Sequence, residues 1–179
     1  DLMSKVLGDY KVTVPITLIT QKRNSIGSTS SEILQLMGTR LAVMQEPSKG
    51  DRINEGIKKE ITGGDPIQGR ALFKDTVTFK PQFKLMLMCN ELPKLAGNDG
   101  GVHRRIEVVD FISKFTDNPK PSDHNPHQYK ADLELGTKLK RWNLLFMIKL
   151  LSYYIIYDKE GTKAPPSVTE ATKCYMIDN

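Results

Sequence analysis

Two short, uninterrupted apolar runs constrain this chain most. Leu41-Ala42-Val43-Met44 follows Arg40, and Leu85-Met86-Leu87-Met88-Cys89 follows Lys84. Neither alternates with polar residues, so each reads as a strand covered on both faces in a parallel sheet. Met86 and Met88 are then strand core, their thioethers filling gaps in an apolar interior. Between the runs, Ile53, Ile57 and Ile61 recur every four residues, and 51–61 reads as an amphipathic helix. Strands alternating with helices point to an α/β sheet. A polar residue stands where each run would leave that sheet: Gln45-Glu46 after the first, Asn90 after the second.

The rest of the chain fits around this pair. Asp1 to Leu7 looks like the middle of a helix that Gly8 could cap, and Val12 to Thr20 reads as a strand rich in Val, Ile and Thr. Thr29 and Glu32 stand in capping-box spacing ahead of a helix that ends before Gly38. Thr62-Gly63-Gly64-Asp65-Pro66 is a turn cluster, and Ile67 to Phe79 suits a hairpin turning near Lys74-Asp75. A strand is expected over Ile106 to Phe111. The organisation expected is a core over 1–115, a linker rich in Pro, Asp and Asn over 116–129, and a helical region over 130–179. In that last region Leu144 to Tyr157 reads as a buried helix, and Ser167 with Glu170 caps the final one.

Composition excludes several classes. With 39% hydrophobic and 26% charged residues, the 179-residue chain reads as an ordinary globular domain. Its longest apolar run contains Lys149 and is too short for a membrane span. Cys89 and Cys174 stand in unlike contexts, which excludes a disulfide framework and favours a reducing compartment. Asp123, His124 and His127 sit in the Pro-rich stretch with no third fixed ligand nearby, the pattern of a solvated loop. The net charge of +5 suits an anionic partner such as nucleic acid, though many unrelated domains carry as much.

In open α/β sheets ligands sit beyond the carboxyl ends of the strands. Hydrolysis of a nucleoside triphosphate needs a carboxylate there to orient Mg²⁺ or water, and a neutral amide that can hold water or the γ-phosphate. Glu46 and Asn90 are of those two types, although either residue alone could merely end a strand. Arg104 and Arg105 follow Asn90 by 14 and 15 residues. They are either a solvated basic pair or a guanidinium offered to a neighbouring subunit's nucleotide. Arg70, Lys74, Lys80 and Lys84 surround Phe73 and Phe79, downstream of Lys58-Lys59. Cations interleaved with rings suit a single nucleic-acid strand and equally suit an exposed hairpin with a solvated basic face.

The order of these features resembles superfamily 3 helicases, in particular the poxvirus-type and phage/plasmid primase–helicase branch. Arg40-Leu41-Ala42-Val43-Met44-Gln45-Glu46-Pro47 resembles the Walker B segment. Lys59-x-x-Thr62-Gly63-Gly64-Asp65-x-Ile67-x-x-Arg70 resembles the B′ motif, and Lys84 through Pro93 resembles motif C. Asp99-Gly100-Gly101-Val102-His103-Arg104-Arg105-Ile106 resembles the arginine-finger segment. The tail from Trp142 to Val168 resembles the C-terminal helices of the branch.

The resemblance implies an AAA+-type P-loop NTPase core with a mostly parallel sheet, an inserted β-hairpin and a small helical region. It implies a homo-hexameric ring that hydrolyses ATP with Mg²⁺ between subunits and moves along single-stranded DNA inside the infected cell. Glu46 would be the Walker B acid, which alone would hold the metal because Gln45 stands where many relatives have a second acid. Asn90 would be the sensor, and Arg105, or failing it Arg104, the finger. Lys59, Arg70, Phe73 and Lys74 would face DNA, the last two at the hairpin tip. No G-x-x-x-x-G-K-[ST] occurs in these residues, so truncation just after the phosphate loop is expected, with poor ATP binding by the fragment. The alternatives are an AAA+-type ATPase that remodels or packages DNA, and a DNA-binding module without catalysis.

Overall fold

The structure is a computed structural model that describes residues 2–22, 29–45, 52–95 and 105–178. Two compact units emerge, one over 7–106 with 175–179 and one over 1–6 with 107–174.

The first unit is built on a three-stranded parallel sheet in the order β1-β2-β3, with β1 Lys11–Thr13, β2 Leu41–Gln45 and β3 Lys84–Met88. Val12 lies opposite Ala42, Ala42 opposite Leu85, and Gln45 opposite Met88. Leu41 to Met44 are buried, as their unbroken apolarity requires in the middle strand. Each such large side chain contributes about 1.5–3 kcal/mol on leaving water.

The edge strand β3 differs from expectation. Its burial alternates, and Met86 and Met88 are 45% and 44% exposed instead of forming core. The cause is position: among the described residues β3 has a strand partner on one side only.

Other elements depart from the sequence reading for local reasons. The strand expected over Val12 to Thr20 stops at Thr13, although Val14 still donates its N–H to the Val43 carbonyl at 3.0 Å. Pro15 has no N–H to extend the ladder, and Thr17–Thr20 turns into the short helix α2 instead, the first helix, α1, being Leu2–Leu7. In α3, Ser31–Leu34, the expected capping box is not formed. Ser30 is the N-cap residue, but its hydroxyl accepts from the Arg70 N–H at 3.0 Å, tying the helix start to the hairpin. Helix α4 begins at Glu55 and runs to Thr62; Asn54 caps it, accepting from the Ile57 N–H at 3.3 Å. Ile53 belongs to a two-residue parallel ladder instead, Arg52–Ile53 against Lys94–Leu95.

Residues 106–113 form no strand, contrary to expectation. Within the second unit, Lys114–Thr116 pairs in parallel with Gln128–Lys130, and Phe115 meets Tyr129 with ring centroids 5.7 Å apart. Three further helices follow: α5 Leu135–Arg141, α6 Asn143–Glu160 and α7 Pro166–Ile177. Proline opens α7, where a missing N–H costs nothing, so Ser167 is the second helical residue and not the cap. Helix α6 spans the segment read as buried, yet none of its residues is buried. Apolar on every side, it would need covering layers all round, and this unit does not supply them.

No helix among the described residues is long and apolar enough to cross a membrane.

Candidate functional site

The two apolar runs are neighbours in register, so the ends of β2 and β3 open side by side. Asn90 lies two residues beyond β3, exposed, in a bend that leads through buried Pro93 to Lys94–Leu95. The latter pair is held against Arg52–Ile53, so the bend is anchored at both ends by parallel pairing. Glu46 and Arg104 lie outside the described residues.

The antiparallel hairpin joins Ile67–Arg70 to Thr76–Phe79, with Ile67 opposite Phe79 and Arg70 opposite Thr76. Its tip is 71–75. There Phe73 is 93% exposed and takes a left-handed backbone with φ 57, a conformation unusual for a bulky residue. Lys74 beside it is exposed, and the Arg70 Nε–H donates to the Lys74 carbonyl at 3.0 Å, bracing the tip. A ring and an ammonium are thus presented together to solvent. Their presentation fits stacking and phosphate contact.

The hairpin's base depends on the glycine pair before it. A Cβ on Gly63 would lie 2.6 Å from the Lys59 carbonyl oxygen, a contact backbone cannot relieve by rotating. Gly64 has φ +84, so the chain turns from α4 into the Ile67–Arg70 strand through a conformation other residues rarely adopt. Lys59 is half-buried in the last turn of α4.

In the sequence Lys58 stands only as part of a basic run. It is 6% exposed, beside Glu55 and Arg105. Burial pushes its pKa from 10.5 down to about 8; the Arg105 guanidinium adds to this and Glu55 opposes it. The Glu55 Oε1 atom is buried with no hydrogen-bond partner among the described residues. The available signal was helical phase. The stripe that includes buried Ile61 also includes Lys58 three residues earlier, while Ile57 is only half-buried. Arg105 itself is exposed, close enough to Lys58 to act on it electrostatically.

No three His, Cys, Asp or Glu side chains among the described residues are grouped to hold a metal ion.

No family model matches the chain. Individual relatives do. The chain is 40% identical over 181 residues to a putative helicase of Acanthamoeba polyphaga mimivirus, covering 98% of the chain and 19% of that protein. It is 34% identical over 191 residues to a putative helicase of Frog virus 3, covering 99% of the chain and 19% of the relative. A putative primase of African swine fever virus is 26% identical over 132 residues, covering 73% of the chain and 14% of the relative. The chain therefore spans about a fifth of the length of these two helicase relatives. With nearly its whole extent aligned to such proteins, the chain belongs among the helicase and primase homologues of large DNA viruses.

Proposed function

We propose that this chain is part of the motor of an ATP-dependent, superfamily 3 replicative DNA helicase that acts as a homo-hexameric ring on single-stranded DNA within infected cells. The observation that carries the reading is the hairpin tip: an exposed aromatic ring in a left-handed backbone beside an exposed lysine, braced by Arg70. In this reading Phe73 presses on a base or sugar while Lys74 and Arg70 meet phosphates, and Lys59 supports the hairpin from the end of α4.

ATP with Mg²⁺ is the cofactor the reading requires; when bound, it supplies the phosphoryl-transfer chemistry. The described residues fit it in part. Asn90 offers a neutral amide beyond the carboxyl end of β3, next to the end of β2, as ligand sites of open parallel sheets require. Glu46, immediately after β2, would hold the metal and orient water, while Asn90 would hold that water or the γ-phosphate. Arg105 would serve the neighbouring subunit's nucleotide, with Arg104 as the alternative. No G-x-x-x-x-G-K-[ST] motif occurs in these 179 residues.

Single-strand affinity of the full-length protein, measured across a salt titration with and without Lys74→Ala, tests the reading. One fewer neutralised phosphate lowers the slope of log affinity against log salt by about 0.7. An unchanged slope and affinity would remove Lys74, and with it the hairpin, from the DNA-binding surface.

A further inference from the structure

The bend that carries Asn90 runs from Cys89, the first residue after β3, to Pro93, the last before Lys94–Leu95. A residue more than eighty positions away closes it. Tyr175, near the end of α7, is 7% exposed, and its hydroxyl donates to the Pro93 carbonyl oxygen. Cys89, at the other end of the bend, lies close enough to act electrostatically on the same hydroxyl. Asn90 stands between these two contacts, its own side chain exposed.

Pro93 has no N–H, so its carbonyl is the backbone polar group that can tie it in place. Buried donors and acceptors are costly to leave unmade, so this bond holds its geometry. Desolvation raises the Tyr175 pKa to about 12, with Cys89 adding to the rise, so the phenol keeps its donor proton across the physiological range.

We propose that Tyr175 is a positioning residue for Asn90: its hydroxyl, bonded to the Pro93 carbonyl, holds the bend in the geometry that aims the Asn90 amide. The proposal rests on the assignment of Asn90 to the ATP site in the preceding section. In this reading Tyr175 acts on Asn90 through the bend to which it is bonded. Aiming matters because a displacement of about 1 Å in a catalytic group can cost on the order of 100-fold in rate.

The test uses the full-length protein and the variants Tyr175→Phe, Asn90→Ala and the double variant, with ATP hydrolysis measured at saturating and at limiting ATP. Phenylalanine keeps the ring and removes only the hydroxyl. Tyr175→Phe is expected to lower kcat by about 10-fold or more while KM for ATP stays within about 3-fold. In the Asn90→Ala background the same change is expected to have no further effect, because the group being aimed is already gone. If Asn90→Ala lowers kcat and Tyr175→Phe does not, the positioning role is wrong while the site assignment stands. If the two changes multiply in the double variant, Tyr175 acts elsewhere and the proposal is overturned. If Asn90→Ala leaves kcat unchanged, the nucleotide assignment of Asn90 falls and this inference falls with it. A lowered Tm with unchanged kcat would likewise reduce Tyr175 to a structural contact.

Discussion

Lys58 is a charge held inside the fold, 6% exposed. Below about pH 8 its ammonium is protonated in both the folded and the unfolded chain, so the folded state bears the full cost of keeping it from water. Between about 8 and 10.5 the folded chain releases the proton while the unfolded chain retains it. The unfolded state then binds more protons, and stability rises with pH across that window. Above 10.5 both states are neutral and the cost is gone. A fall from 10.5 to about 8 corresponds to on the order of 3 kcal/mol, of which roughly 2–3 kcal/mol is recovered between about pH 7 and pH 10.

Lys58→Met keeps much of the side chain's bulk and removes the titration. Its contact losses are the same at every pH, so the difference between wild type and variant isolates the proton. In urea unfolding the wild-type midpoint is expected to gain on the variant by about 1 M over this pH range. Titration of labelled lysine side chains by NMR reads the same group directly. Arg105→Ala should move Lys58 back toward 10.5, since the guanidinium is the second cause of the shift. A Lys58 resonance that titrates at its ordinary value, or a stability difference flat in pH, would refute the buried-charge account.

Two further outcomes test the turn and the finger. Gly63→Ala should destabilise by about 1–3 kcal/mol in urea unfolding, because its Cβ meets the Lys59 carbonyl at 2.6 Å. Gly56→Ala, whose Cβ would meet only the Asn54 side chain at 3.4 Å, should be neutral or stabilising, and equal losses at both would disprove the steric argument. In the full-length protein, Arg105→Ala should reduce ATP turnover by about 10³–10⁵, and mixing it with Glu46→Gln subunits should restore part of it. Demonstrated subunit exchange with no recovery at any ratio would disprove a trans role for Arg105 and move attention to Arg104.

Much of the candidate site is written locally. The unbroken apolarity of Leu41 to Met44 specifies a fully covered strand, because no face of it tolerates water, and β2 is the middle strand. The hairpin over Ile67 to Phe79 is legible for the same kind of reason. Its turn follows a Gly-Gly cluster, and Phe73 and Lys74 fall between the paired segments.

What local pattern cannot carry is the identity of the neighbour. Leu85 to Cys89 reads much like Leu41 to Met44, yet Met86 and Met88 are exposed because a strand's burial depends on what lies beside it. Helix α6 carries the apolarity of a core helix, and its unit leaves it uncovered for the same reason.

The sequence by itself determined a parallel α/β sheet, a basic hairpin with an aromatic tip, and helices in the last third, because periodicity and turn chemistry act within a few residues. Only the tertiary structure decided that Ser30 would bind Arg70 instead of capping its helix, that Lys58 would be buried beside Arg105, and that Tyr175 would reach Pro93. Each of these joins groups distant in sequence or sets the water around a charge, and a linear pattern contains neither.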